Sequence, residues 1–167
     1  MSENLARPAI SVVVPVFNEE ENMPILQSEL RAALSGLDHE IIFVDDGSTD
    51  RSVEKIDAAA NVRVLRLEKN TGQSAALYAG IKAARGEIIV MIDGDLQNDP
   101  ADIPRLVQEL SPGVDLACGY RAKRKDTITK RLTSRIANFV RSRFTRDYVR
   151  DTGCTLKAMR RECADAL

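Results

Sequence analysis

The amino-acid sequence predicts an α/β protein whose mostly parallel sheet is flanked by helices. In residues 1–120, short apolar segments alternate with segments whose apolar residues recur every three or four positions. The first pattern is typical of buried strands and the second of amphipathic helices. Strands and helices that alternate in this way form parallel sheets, because each parallel pair needs a crossover connection that is usually a helix. A chain of 167 residues is long enough for one domain with its own core.

Five strands are predicted from the apolar segments. The first is rich in valine, the second ends at an Asp-Asp-Gly-Ser turn, and the fourth runs into an Asp-Gly-Asp motif. Turn-forming residues of this kind commonly mark the ends of strands. The predicted strands are residues 10–16, 40–44, 62–67, 87–92 and 114–118.

Four helices are predicted between these strands. Asn18 is expected to cap the first helix. The apolar face of that helix consists of Met23, Leu26, Leu30 and Leu34. A short helix is expected at 51–59, and an alanine-rich helix at 72–85 is expected to end at Gly86. The last helix, at 100–110, opens with a proline, which is common in the first turn.

The charges divide the chain into an acidic and a basic part. Residues 1–120 hold 10 basic and 20 acidic residues, whereas residues 121–150 hold 11 basic and 2 acidic residues. Apolar residues at helical spacing in the basic part predict a further helix. These are Ile128, Leu132, Ile136, Phe139, Val140 and Phe144. This helix is either a solvated charged helix or a cationic, partly apolar surface for an anionic amphiphile at a membrane. No nucleic-acid-binding motif is present, so no nucleic acid partner is expected.

Asp93 and Asp95 follow the fourth predicted strand, separated by one glycine. A buried strand that runs into two carboxylates brings oxygen ligands together at the edge of the sheet. Such ligands suit Mg²⁺ or Mn²⁺, with coordination positions left for diphosphate oxygens. The alternative is an acidic turn without a ligand, since Asp and Gly are common in turns.

Polar residues follow all five predicted strands. In open α/β sheets, ligands bind beyond the carboxyl ends of the strands, so we expect the functional site at this edge. In chain order the residues are Pro15, Phe17, Asn18, Glu19, Asp45, Asp46, Asn70, Gly72, Asp93, Asp95, Gln97, Gly119 and Arg121.

Six segments, in the same order and over nearly the whole chain, resemble family 2 glycosyltransferases. They are VVVPVFNEEEN, FVDDGSTD, NTGQSAALYAG, MIDGDLQNDP, GYR and DTGC. Within that family they are most similar to the polyprenyl-phosphate glycosyltransferases, a group that includes dolichyl-phosphate mannose synthase. The segment DTGCTLKAMRRE resembles the bacterial undecaprenyl-phosphate aminoarabinose transferases. The resemblance implies a GT-A (Rossmann-like) fold and a nucleotide-sugar donor, with a UDP-sugar favoured over GDP-mannose.

The resemblance also implies roles for residues on the donor side. The nucleotide-binding residues would be Pro15, Phe17, Glu19, Asp46 and Asp93, with Asp46 on the base and Asp93 beside the ribose or the diphosphate. Asp93, Asp95 and Gln97 would hold Mg²⁺ or Mn²⁺ on the diphosphate. A turn-capping role is the alternative for Asp46, and a helix entry is the alternative for Asn70 and Gly72.

The acceptor of this group is a lipid phosphate, which is already anionic near neutral pH and needs no strong general base. It needs a cationic pocket that holds the phosphate in line with the anomeric carbon, and attack from that side would invert this centre. Arg121, Arg131 and Arg135 are the candidates, because guanidinium binds phosphate in a bidentate manner. Lys130 competes with Arg131 for the same role.

Asp151 has three interpretations. It acts as general base for a hydroxyl acceptor, it orients Arg121 or the acceptor, or it is a loop residue ahead of Gly153. The candidate catalytic residues are therefore Asp95, Arg121, Arg131 and Asp151. A family 2 transferase acting on a hydroxyl is one alternative function. A phosphoacceptor receiver-like signalling module is another, since it also places an acidic pair and a lone Asp at parallel strand ends.

We expect residues 1–120 to form a nucleotide-sugar-binding body and residues 121–167 to form a basic acceptor-side segment of the same domain. Many members of the group carry C-terminal membrane helices, so the chain is expected to be C-terminally truncated. No aliphatic stretch approaches the roughly 20 residues that span a bilayer. Three cysteines without metal-ligand spacing fit a reducing compartment. The expected location is cytoplasmic, peripheral at the inner face of the membrane.

Overall fold

The structure is a computed structural model that describes residues 7–120 and 154–167. The chain divides into two compact units. The first comprises Met1–Cys118 and Thr155–Leu167 and contains all the helices and strands given below, and the second comprises Gly119–Cys154. The helix predicted within residues 128–144 lies outside the described residues.

A mixed sheet of six strands forms the centre of the first unit. The strands are β1 (Ile10–Val16), β2 (His39–Asp45), β3 (Val62–Arg66), β4 (Ile88–Met91), β5 (Leu116–Cys118) and β6 (Lys157–Arg160). Their order across the sheet is β3-β2-β1-β4-β6-β5. β1 pairs in parallel with β2 and β4, and β2 with β3, whereas β6 runs antiparallel between β4 and β5. The predicted α/β architecture with a mostly parallel sheet is confirmed.

Within residues 7–120 and 154–167, four α-helices and two 3-10 turns accompany these strands. The helices are α1 (Met23–Ala33), α2 (Gln73–Ala83), α3 (Ile103–Gln108) and α4 (Arg161–Asp165), and the turns are Val53–Lys55 and Pro100–Asp102. α2 packs on β1 and β2. It approaches them closely because Gly80 has no side chain: a Cβ atom there would lie 2.3 Å from a methyl carbon of Val13 and 2.9 Å from one of Val44. The backbone of α2 is therefore held directly against the sheet.

The first strand of the sheet is buried on both faces. Val12, Val13 and Val14 of β1 are fully buried, although consecutive side chains of a strand point to opposite faces. On one of these faces Val13 belongs to an apolar cluster with residues of β2, β4, β6, α2 and α4. Continuous apolar runs of this kind are typical of parallel strands that are covered on both sides. No helix within the described residues is both long and apolar enough to cross a membrane.

Asn18 does not cap the first helix, contrary to prediction. α1 begins at Met23, and its N-cap position is Asn22. Asn18 has a φ of 56°, and its side-chain oxygen accepts a hydrogen bond from the backbone N–H of Thr49 at 2.9 Å. Asn tolerates this left-handed conformation better than most residues. Its function is thus to join the loop after β1 to the loop after β2.

Two further helix predictions are corrected by the structure. The helix expected at 51–59 is reduced to the 3-10 turn Val53–Lys55, and Asp50 just before it binds the backbone N–H of Ser52. Such local side-chain bonds to the backbone compete with helix formation. α2 ends at Ala83 and not at Gly86. Glycine is required at 86 for another reason, since a Cβ atom would lie 2.6 Å from the backbone nitrogen of Ser11.

A buried carboxylate holds this connection between α2 and β4 in place. Glu40 of β2 accepts hydrogen bonds from the Ser11 hydroxyl at 2.7 Å, the Arg85 backbone N–H at 2.7 Å and the Arg63 guanidinium at 2.9 Å. Burial raises the pKa of Glu40, but the hydrogen bonds from Ser11, Arg85 and Arg63 outweigh burial, and the pKa is lowered overall. The carboxylate is therefore ionised in the folded protein at neutral pH.

β6 and α4 were not predicted from the sequence. The division of the chain into a body of residues 1–120 and an acceptor-side segment of residues 121–167 stays a prediction. Both β6 and α4 lie in Thr155–Leu167, which is part of the first unit. β6 has only four residues and pairs antiparallel with β4, Met91 lying opposite Lys157. A segment this short, with two buried positions, gives too weak an apolar pattern to be identified as a strand.

Candidate functional site

A crevice opens at the sheet edge because β1 continues beyond its neighbour β4. β4 pairs with β1 only as far as Val13, whereas β2 pairs with it as far as Val16. The carbonyl of Val13 accepts a hydrogen bond from Ile92, so alternate residues of β1 direct their polar backbone groups toward β4. Pro15 is the next residue of β1 whose backbone polar groups face the side of β4. The backbone nitrogen of Pro15 therefore faces the region beyond the end of β4. Because β4 does not pair with β1 there, the lack of an N–H at Pro15 removes no hydrogen bond from the sheet.

The crevice coincides with the point at which the strand order reverses. The chain passes from β1 to β2 and β3 on one side and then returns to place β4 on the other side of β1. Ligands of open α/β sheets bind at such a switch point, beyond the carboxyl ends of the strands. A pocket of about 330 Å³ lies there, within the range typical of small-molecule sites. It is lined by Pro15, Val16, Phe17, Glu19, Asp46, Asn70, Gly72, Gln73, Asp93, Gly94 and Asp95.

Six of the predicted donor-side residues therefore meet in one pocket. They are Pro15, Phe17, Glu19, Asp46, Asp93 and Asp95. Gln97 is not among the lining residues, and it is exposed. The predicted acceptor residues and the predicted base lie outside the described residues, and their roles stay predictions. These residues are Arg121, Lys130, Arg131, Arg135 and Asp151.

The pocket is strongly acidic. Four of its lining residues carry carboxylates, and no lysine or arginine of the described chain lines it. Within residues 7–120 and 154–167, no three His, Cys, Asp or Glu side chains are grouped as metal ligands. Carboxylates repel an anionic ligand, and a divalent cation between the carboxylates and the anion would offset that repulsion.

Asp46 is fixed by the loop that leads into α2. Its Oδ1 accepts hydrogen bonds from the Thr71 N–H at 2.7 Å and the Thr71 hydroxyl at 2.8 Å, and its Oδ2 accepts from the Gly72 N–H at 2.8 Å. Burial raises the pKa of Asp46, but the bonds from Thr71 and Gly72 outweigh burial and lower the pKa overall. The turn-capping role belongs to Asp45, whose Oδ1 accepts from the Ser48 N–H at 2.9 Å.

Asp93 and Asp95 enter the pocket on either side of Gly94. A Cβ atom at Gly94 would lie 3.2 Å from the carbonyl oxygen of Pro15, so a side chain there would press on β1. Asp95 Oδ1 accepts a hydrogen bond from the Gln97 N–H at 3.1 Å, around a tight turn in which Leu96 has a φ of 59°. This turn sets the direction in which the Asp95 carboxylate leaves the strand end.

The loop after β1 is held against the loop after β2 by reciprocal hydrogen bonds. The Asn18 N–H donates to the Ser48 hydroxyl at 3.0 Å, and the Glu19 N–H donates to the Ser52 hydroxyl at 2.7 Å. These bonds fix the backbone that directly follows Phe17, whose side chain lines the pocket and is 43% exposed. An exposed aromatic ring held in this way offers an apolar surface to a flat ligand.

Sequence reasoning missed three pocket residues. Val16, Gln73 and Gly94 line the pocket but were not among the candidates. Thr71 was also missed, although it binds Asp46. The position of Gln73 at the start of the predicted third helix was a usable signal, because that end of the helix follows a parallel strand and faces the carboxyl edge of the sheet.

Comparison with known sequences gives one family. The profile of glycosyl transferase family 2 matches residues 11–167. A Yersinia enterocolitica protein named undecaprenyl-phosphate 4-deoxy-4-formamido-L-arabinose transferase is 40% identical, covering 100% of this chain and 53% of the relative. A Pseudomonas aeruginosa protein of the same name is 42% identical, covering 95% of this chain and 49% of the relative. The chain thus spans about half the length of these curated relatives.

Comparison with solved structures agrees with this result. One similar structure is glucosyl-3-phosphoglycerate synthase from Mycobacterium tuberculosis, solved in complex with Mn²⁺, UDP and glucosyl-3-phosphoglycerate. Its TM-score is 0.76 at 27% sequence identity, and the match covers 93% of this chain and 57% of the synthase. A mannosyltransferase from Pyrobaculum calidifontis, in complex with GDP-Man and Mn²⁺, shares the fold with a TM-score of 0.69. It is 22% identical, and the match covers 97% of this chain and 47% of the mannosyltransferase. The predicted GT-A fold is confirmed.

The family match leaves the receiver-like signalling module without support. The fold, the pocket at the switch point and the sequence comparisons agree. The chain belongs to glycosyl transferase family 2.

Proposed function

We propose that the chain carries an inverting glycosyltransferase activity that moves a sugar from a nucleoside-diphosphate sugar to a polyprenyl phosphate, with Mg²⁺ or Mn²⁺ as cofactor. The observation that carries the proposal is the pocket at the switch point of the sheet, in which the carboxylates of Asp93 and Asp95 meet those of Glu19 and Asp46. A diphosphate is repelled by four carboxylates. A divalent cation between the diphosphate and the aspartates reverses this repulsion.

The donor set fits such a cation. Asp93 and Asp95 offer hard oxygen ligands, and Mg²⁺ is commonly held by one or two carboxylates together with substrate phosphates and water. When bound, the cation acts as a Lewis acid that stabilises the negative charge of the departing nucleoside diphosphate.

The remaining pocket residues bind and orient the nucleotide. Asp46 is held as an ionised acceptor, so it suits a base that presents an N–H donor, as both uracil and guanine do. Phe17 offers an aromatic face beside it. UDP is the favoured nucleotide, because the similar synthase at 27% identity was solved with UDP and Mn²⁺. The likeness to the GDP-Man complex is limited to the fold.

A polyprenyl phosphate acceptor is supported by the relatives and by the charge of the chain. The relatives at 40% and 42% identity are named as undecaprenyl-phosphate transferases. Residues 121–150 carry 11 basic and 2 acidic residues. We assign the acceptor phosphate to this basic segment, with the guanidinium groups holding it in line with the anomeric carbon. The acceptor ligands are Arg121, Lys130, Arg131 and Arg135.

The location follows from the acceptor. A polyprenyl phosphate lies in a membrane, and a segment rich in lysine and arginine is attracted to anionic lipid headgroups. We propose that the chain works as a peripheral protein on the cytoplasmic, inner face of the membrane. Sedimentation with anionic vesicles at low salt, and its loss at high salt, would support this location. Equal sedimentation with neutral vesicles would contradict it.

A phosphorylated small molecule is the second candidate acceptor. One structure of the similar synthase contains phosphoglyceric acid together with UDP and Mn²⁺. A hydroxyl acceptor would need a general base, for which Asp151 is the candidate.

Calorimetric titration with UDP and with GDP, each with and without Mn²⁺, tests the donor site. We expect binding of UDP that depends on Mn²⁺, and absence of binding by both nucleotides would overturn the proposal. Transfer of labelled sugar to undecaprenyl phosphate, compared with phosphoglycerate, then separates the two acceptors. Transfer only to phosphoglycerate would overturn the lipid acceptor and leave the donor site standing.

A further inference from the structure

Gln73 makes a direct contact with Asp93, one of the three aspartates that line the pocket. Its side-chain Nε2 donates a hydrogen bond to Asp93 Oδ1 at 2.5 Å, and both residues line the pocket. Gln73 is the first residue of α2, whereas Asp93 follows β4. The bond therefore connects two elements that meet at the pocket from different parts of the chain.

α2 is a rigid support for this contact. The helix lies directly on β1 and β2, since Gly80 leaves no space between it and Val13. The residues that lead into the helix are held in place as well, because the N–H groups of Thr71 and Gly72 bind the Asp46 carboxylate. A side chain that leaves the helix at this point has a fixed origin, which is what accurate placement of a functional group requires.

The entry of α2 thus contacts two pocket carboxylates in two ways. Asp46 is bound by the backbone N–H groups of Thr71 and Gly72 and by the Thr71 hydroxyl. Asp93 is bound by the side chain of Gln73, which is specific to the sequence. The χ2 torsion of an aspartate is broad, so a hydrogen bond to one oxygen selects its orientation. A neutral amide does this without cancelling the carboxylate charge, which lysine or arginine would do.

We propose that Gln73 is a positioning residue that holds the Asp93 carboxylate in the orientation that receives the nucleoside diphosphate and its cation. The inference rests on the proposed function. Bound nucleotide excludes water from the pocket, and the amide–carboxylate bond strengthens as the local dielectric falls. The contribution of Gln73 should therefore be measured in the affinity for nucleotide and only weakly in the stability of the free chain.

The test compares Gln73→Met, which keeps the length of the side chain and removes the donor, with the matched control Ser74→Ala. Ser74 is exposed on the same turn of α2 and does not line the pocket. Titration with UDP in the presence of Mn²⁺ should show an affinity roughly tenfold lower for Gln73→Met, the size expected for a hydrogen bond to a charged group. The affinity of Ser74→Ala and the melting temperatures of both variants should match those of wild type.

The double variant with Asp93→Ala separates positioning from direct contact. If Gln73 acts through Asp93, adding Gln73→Met to Asp93→Ala lowers the UDP affinity no further, as measured at raised nucleotide concentration. Losses that add in the double variant would overturn the inference, because Gln73 would then act independently of Asp93. Wild-type affinity in Gln73→Met would also overturn it. Failure of wild type itself to bind UDP is a different outcome, which overturns the proposed function and the inference with it.

Gln73→Glu gives a second readout. It places an additional carboxylate against Asp93, so UDP affinity should fall further than in Gln73→Met and should recover in part as the Mn²⁺ concentration is raised. An affinity that stays independent of the Mn²⁺ concentration would contradict the inference that Gln73 orients a carboxylate that receives the cation.

Discussion

Asp46 Oδ1 accepts two hydrogen bonds from Thr71, one from its backbone N–H at 2.7 Å and one from its hydroxyl at 2.8 Å. The two residues follow different strands, β2 and β3, and the contact links the two loops that carry them. The carboxylate that is expected to meet the base is therefore oriented before any ligand arrives. Such preorganisation lowers the cost of ordering the site when nucleotide binds.

Thr71→Val removes the hydroxyl donor and keeps the shape and the backbone N–H. We expect the free energy of unfolding to fall by about 1 kcal/mol, the typical net value of one hydrogen bond. UDP affinity should fall several-fold, because Asp46 loses one of its fixed partners. Chemical denaturation and calorimetry measure the two effects. Thr71→Ser, which keeps the hydroxyl, is the control, and equal nucleotide affinity in Thr71→Val and wild type would contradict the preorganisation.

Asp95→Ala should abolish Mn²⁺-dependent UDP binding and leave the fold intact. Asp95 leaves the strand end at a tight turn and lines the pocket, so its loss removes a cation ligand without opening the core. Asp102→Ala is the matched control, since Asp102 is exposed and does not line the pocket. UDP affinity in the presence of Mn²⁺ that is the same in Asp95→Ala and wild type would refute the metal assignment.

Arg131→Ala should leave donor binding unchanged and slow the transfer step by roughly tenfold or more, as expected for a lost charge-assisted hydrogen bond to phosphate. The measurements are UDP affinity and the rate of sugar transfer to undecaprenyl phosphate. Arg143→Ala, which removes the same charge from the basic segment, is the control. If both variants slow transfer equally, the effect is one of overall charge and not of a ligand at position 131.

Glu40→Gln should remove an acid-sensitive part of the stability. The pKa of Glu40 is lowered in the folded chain, so its ionised form stabilises the fold above its ordinary pKa of 4.5, and this stabilisation is lost as the pH falls below that value. We expect wild type to lose melting temperature more steeply than Glu40→Gln below about pH 4.5. At pH 7 the variant should be less stable by roughly 1–3 kcal/mol. Glu109→Gln, at an exposed position, should follow the wild-type curve.

The parallel part of the sheet and most of the donor pocket were accessible to sequence reasoning. The strands were identified from continuous apolar runs, and the carboxyl-edge rule then placed Phe17, Asp46, Asp93 and Asp95 together without any structure. These inferences depend only on local patterns and on a general property of α/β sheets.

What escaped prediction depends on contacts between distant segments. Asn18 and Gly86 were assigned to helix ends, where both residue types are common, but their conformations are set by Thr49 and Ser11 across the fold. The contact of Gln73 with Asp93 joins residues 20 positions apart and has no local signature. β6 is too short to be recognised alone and is defined by its pairing with β4.

The insertion of β6 between β4 and β5 has a consequence for the order of folding. β4 carries the loop with Asp93 and Asp95, and one of its edges is paired only by residues near position 160. As the chain leaves the ribosome, the four parallel strands can assemble first, with that edge of β4 open. An open strand edge is a place where other chains pair and aggregate. Non-local pairing of this kind also slows folding. The open edge of β4 is thus covered only after β6 has been synthesised, and β4 is the strand that leads into Asp93 and Asp95.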